Sequence, residues 1–199
     1  MATDLDGIFN VGLNGLRDKA VFDQWLEELK KLNIDHAKYT NSDGEDCEEQ
    51  GEWYYETSGF GGDDPDDNDI DTPFELIFYG PFMFSIHLMD NISKIPTFYR
   101  LHILFEQPYF FDEFIDEIHQ VLGVFNASEV IWLSSTGSAK KYSSIYQSEV
   151  WENVPYKTVR EILIERLGKP ITYEGAKHYN ETVNWEYKNI DCFVCDTFG

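Results

Sequence analysis

Three successive apolar runs at 74–79, 82–89 and 97–106 constrain this chain most. Each is rich in aromatic and β-branched residues, which favour a pleated surface. Gly80-Pro81 separates the first two runs and 91–96 separates the last two. Connections that short join antiparallel neighbours, because a parallel return needs a long crossover. A register with Tyr79 opposite Phe82 and His87 opposite His102 keeps the side-chain alternation consistent. It predicts one face built from Ile77, Tyr79, Phe84, Ile86, Leu88, Leu101, Ile103 and Phe105, and this face is core. The other face then holds Phe74, Leu76, Phe78, Ser85, His87, Arg100 and His102, a mixture that requires partial cover by another element.

Helical periodicity flanks these strands. Over 18–32, Ala20, Val21, Phe22, Trp25, Leu26, Leu29 and Leu32 recur at helical spacing, with Asp18 placed as N-cap. Over 110–125, Phe111, Phe114, Ile115, Ile118, Val121 and Leu122 form an apolar stripe opposite Asp112, Glu113, Asp116 and Glu117. A further helix over 155–167 starts at Pro155 and is stopped by Gly168 and Pro170. Shorter strands are predicted near 36–40, 53–57 and 129–133, with a closing hairpin from 182–187 and 191–196. The order predicts an α+β fold: an antiparallel or mixed β-sheet with about three helices packed mainly on one face. The length of 199 residues suits a single domain over 1–199.

Charge divides the chain unevenly. Residues 41–72 hold 13 of the 37 acidic residues and no Lys or Arg, while the rest holds 24 acids against all 15 bases. Turn and breaker residues dominate 41–51 and 59–72, so the segment 41–73 reads as an acidic, loop-rich insertion. A net charge of −22 repels phosphate backbones and anionic lipid, which argues against nucleic acid and membrane partners and for a basic protein. The first residues lack a basic region followed by an apolar one, and no apolar run approaches a membrane span, so a cytoplasmic location is expected. Three cysteines are too few for a disulfide framework and agree with a reducing compartment.

Motifs with specific chemistry are sparse. Asp64, Asp66, Asn68 and Glu75 match four oxygen-ligand positions of a calcium-binding loop, but Asp69 stands where that loop needs glycine for its sharp turn. Strands, not helices, are expected to flank it, so a solvated acidic loop is the stronger expectation. Cys192 and Cys195 have redox or metal spacing, yet residues three apart on a strand point to opposite faces, which makes them packing residues. His87, Arg100 and His102 meet on one sheet face in the expected register and form a candidate polar site. The loop from Ser134 to Lys141 offers hydroxyls, amides and two cations that suit an anion, or simply a polar turn. No nucleophile elbow, phosphate-binding loop or dinucleotide fingerprint is present, so no catalytic residue and no cofactor are assigned.

These features predict a non-enzymatic acidic protein that engages a basic protein partner. Its docking surface would comprise Asp63, Asp64, Asp66, Asp67, Asp69 and Asp71 with the aromatics Trp53 and Tyr54, since aromatics commonly anchor interfaces. In charge and style the chain resembles the small acidic immunity proteins that neutralise basic bacterial toxins, which implies an inhibitor or immunity-type role. The alternatives are an enzyme assembled around His87, His102, Arg100 and the Ser134 to Lys141 loop, and a calcium module at 64–75.

Overall fold

The computed structural model describes residues 4–12, 24–25, 27–29, 31–32, 39–40, 46–47, 54–56, 74–78, 84–100, 108–134, 150, 152–182 and 192–199. The strands are β1 (Asp4–Phe9), β2 (Tyr39–Thr40), β3 (Asp46–Cys47), β4 (Tyr54–Glu56), β5 (Phe74–Phe78), β6 (Phe84–Leu88), β7 (Ser93–Arg100), β8 (Glu129–Ser134) and β9 (Val194–Thr197). The helices are α1 (Pro108–Val124), α2 (Tyr156–Leu167) and α3 (Tyr173–Thr182), with further helical residues at 24–25 and 27–29. Seven strands form one sheet in the order β4-β5-β6-β7-β1-β8-β9, and β2 pairs with β3 separately. The strand pairings are antiparallel. The chain is thus α+β, as its element order predicts.

Successive strand residues point to opposite faces, and each face of the sheet carries its own core. Phe9, Phe84, Ile86, Leu88, Ile95, Val130, Trp132 and Val194 belong to one buried cluster with the apolar stripe of α1, with Leu29 and with Ala176 of α3. Ile8, Ile131, Leu133 and Phe193 belong to the other, with Val159 and Leu163 of α2. Helices therefore lie mainly on one face, and α2 covers the opposite one.

The ends of α1 and α2 follow local rules. Pro108 opens α1 where its missing N–H costs nothing. Asn126, with φ 60, closes it in the left-handed region, and Ala127 N–H reaches back to Leu122 O at 3.1 Å. Pro155 precedes α2, and Gly168, with φ 90, ends it by donating to Ile164 O at 3.0 Å.

The structure corrects the expected register. In β5–β6, Phe78 stands opposite Phe84 and Glu75 opposite His87, one residue away from the expected pairing. The expected register would set Glu75 opposite Ile86, which is fully buried. A one-residue slip exchanges the two faces, and the observed register places positions 74, 76 and 78 opposite the fully buried Leu88, Ile86 and Phe84. In β6–β7, His87 pairs with Lys94 rather than His102, because β7 begins at Ser93 inside the expected turn. Pro96 is tolerated in this inner strand near a register shift in the β1–β7 ladder.

Two further elements depart from expectation. β1 was not anticipated, yet it is a central strand, flanked by β7 and β8. Asp4, Asp6 and Gly7 depress its strand propensity. Gly7 lies opposite both Ile95 and Trp132, and a Cβ there would stand 2.8 Å from the Trp132 ring. α3 occupies 173–182, so Thr182 ends a helix instead of opening a strand. β9 pairs with β8, and 183–191, which hold most of the expected hairpin's first strand and its turn, lie outside the described residues.

Candidate functional site

The acidic segment joins the sheet at one end. β4 lies inside 41–73 and pairs with β5, setting Tyr54 opposite Ile77 and Glu56 opposite Glu75. Tyr54 is therefore held at the end strand of the sheet. Trp53, Asp63, Asp64, Asp66, Asp67, Asp69 and Asp71 lie outside the described residues, as do Asn68 of the calcium-loop pattern and most of 134–141. Glu75 of that pattern sits within β5, and Ser134 ends β8. The acidic character extends to α1, whose exposed face carries Asp112, Glu113 and Asp116 and which contains no Lys or Arg.

The predicted polar trio is redistributed. His87 lies in β6 opposite Lys94, Arg100 ends β7 opposite Asp4, and His102 lies outside the described residues. What surrounds His87 instead is Ser85, whose Oγ is 3.2 Å from His87 Nε2, and the buried Lys94. Burial lowers Lys94 to about 8, partly opposed by the Asp6 charge. The pairings place positions 56, 75, 87 and 94 in one row of ionisable residues across four strands. Sequence reasoning missed Asp6 and Lys94 because the first fell in an unread strand and the second in a supposed turn.

A second polar group joins three elements on the α1 side. Asp196 of β9 accepts from the Tyr173 hydroxyl at 2.5 Å, and its Oδ2 lies 2.5 Å from His119 Nε2 on α1. The His119 ring stacks on Phe198 with centroids 4.3 Å apart. Burial would raise the Asp196 carboxyl, but the His119 and Tyr173 hydrogen bonds and the His119 charge outweigh it and hold the group below its ordinary value. The Trp132 indole N–H adds to that field while making no hydrogen bond of ordinary geometry.

On the opposite face, Tyr156 donates to Glu129 Oε1 at 2.5 Å, and Arg160 Nε lies 3.2 Å from the same oxygen. Cys195 packs beside them, with its thiol pushed up chiefly by burial and by Glu129, against the influence of Arg160. A thiol raised in this way is a poor nucleophile, which suits a packing role. Cys195 is a free thiol.

Both groups tie β8 and β9 to the helices. The chemistry nearest to an active site is the Asp6, His87 and Lys94 group, since a lysine near 8 can exchange a proton close to neutrality. Its accessibility argues otherwise: Lys94 has 0% exposed surface, Ser85 4% and Asp6 7%. Among the described residues no group of His, Cys, Asp and Glu is arranged to hold a metal ion, and no helix is long and apolar enough to cross a membrane. No family model, curated protein or solved structure matches the chain.

Proposed function

We propose that this protein is a non-enzymatic acidic binder of a basic protein partner, acting as an inhibitor or immunity-type protein. The observation that carries this reading is the concentration of 13 acids without a single base in 41–72. Support comes from the place of that segment in the fold, since β4 fastens it to one end of the sheet. The buried state of Lys94, Ser85 and Asp6 favours binding over catalysis, because a substrate must reach the groups that act on it.

An acidic docking surface acts mainly on the association rate, because it steers a basic molecule through diffusion. A partner captured at low salt and eluted at high salt supplies the reagent. Replacing Asp63, Asp64, Asp66 and Asp67 with Asn and Ser is expected to slow association at least about tenfold and to change dissociation less. Wild-type association should fall to the variant's rate in about 1 M salt, where the Debye length is roughly 3 Å. An unchanged on-rate across the salt series would show that these acids serve solubility only.

A further inference from the structure

We infer that β4 is a docking edge, to which an extended basic segment of the protein partner adds as a further strand beside Tyr54–Glu56. The inference rests on the binding reading above and specifies its mode. The seven-stranded sheet ends in β4 on one side and β9 on the other. The β9 end is already covered, since Ile171 forms a parallel bridge to Val194 and donates its N–H to Phe193 O at 2.9 Å. At the β4 end, no neighbour beyond β4 is present among the described residues. An antiparallel end strand directs the N–H and C=O of alternate residues away from its partner, which makes it a template for strand addition.

Charge selects the occupant. End strands are commonly guarded by lysine, but residues 41–72 contain no Lys or Arg, and Glu52 and Glu56 flank the aromatic run Trp53-Tyr54-Tyr55. A second copy of this chain would bring one acidic segment against another, and repulsion disfavours it. Within the sheet, Glu56 stands directly opposite Glu75, and like charges at opposed positions are destabilising. A Lys or Arg on the added strand opposite Glu56 relieves that repulsion. The fitting segment is therefore extended, with Lys or Arg alternating with β-branched residues.

The test uses the full chain and a synthetic heptapeptide alternating lysine with valine and threonine. Its control is the same peptide N-methylated at every backbone amide, which keeps the charge and removes every backbone donor. At low salt the unmodified peptide is expected to bind at least about tenfold more tightly than the methylated one, since strand addition draws its affinity from main-chain hydrogen bonds. Alternate amides among Tyr54, Tyr55 and Glu56 should gain protection from exchange on binding. Equal binding of both peptides without that protection overturns strand addition and leaves charge-driven docking standing. Binding of neither peptide, with salt-sensitive binding of a folded basic protein such as cytochrome c, also overturns it. Failure of all three probes overturns the binding reading itself.

Discussion

Asp196 shows how one carboxylate can hold three elements, because its Oδ2 meets both His119 of α1 and Tyr173 of α3. Its pKa is held below the ordinary value, so the stability it contributes is present above the unfolded value of about 3.9 and is lost as pH falls through the folded one. Asp196→Ala is expected to cost about 1–3 kcal/mol near neutrality, and to flatten the acid limb of a urea-midpoint profile. Glu117 has the opposite sign. Burial raises it to about 7 from 4.5, and its Oε1 has no hydrogen-bond partner. The native state therefore loses stability as pH rises from 4.5 to about 7. Glu117→Gln should stabilise the protein above that range by roughly 1–3 kcal/mol and remove the slope, which urea denaturation over the same range checks. Lys94 is a third case: between about 8 and 10.5 the unfolded chain binds more protons, so native stability rises with pH. Lys94→Met should abolish that rise.

Elements with strong local signals lie where their sequences place them. The helix read over 110–125 is Pro108–Val124, and the one read over 155–167 is Tyr156–Leu167. Periodicity, an opening proline and a closing Gly168 act within a few residues of each other, so no distant contact is needed to read them. Among its described residues α3 places Ala176 alone in the buried core, a weak apolar signal to read from sequence, and Thr172 Oγ1 caps its first turn through Gly175 N–H at 3.1 Å. Two substitutions test how the elements pack. Leu163→Ala should cost about 2–5 kcal/mol, since this fully buried side chain joins α2 to the core of Ile8, Ile131 and Leu133. Gly7→Ala should cost about 1–3 kcal/mol, because its Cβ would meet the Trp132 ring at 2.8 Å and Ile95 Cβ at 3.2 Å. Urea unfolding measures both.

Across the whole molecule a net charge of −22 repels itself in the folded state and is relieved on unfolding. Salt should therefore raise the thermal midpoint, most steeply at low ionic strength where screening changes fastest. Replacing Asp63, Asp64, Asp66 and Asp67 with Asn and Ser should raise the low-salt midpoint and weaken its salt dependence. Thermal scans over a salt series check both. Sequence alone determined the α+β class, two helices with their ends, the strand character around β4 to β6 and the unequal charge, all of which depend on propensity and spacing among near neighbours. Only the tertiary structure decided that Asp4–Phe9 is a central strand, since its acids and glycine conceal it until β7 and β8 pair on either side. It also decided the register, which sets Phe74, Leu76 and Phe78, and not Glu75, opposite the buried Leu88, Ile86 and Phe84. His119, Tyr173 and Asp196 converge, with 77 and 23 residues separating the partners of Asp196 from it. No local pattern encodes such a meeting, because it forms only when β9 pairs with β8 under the helices that carry the other two.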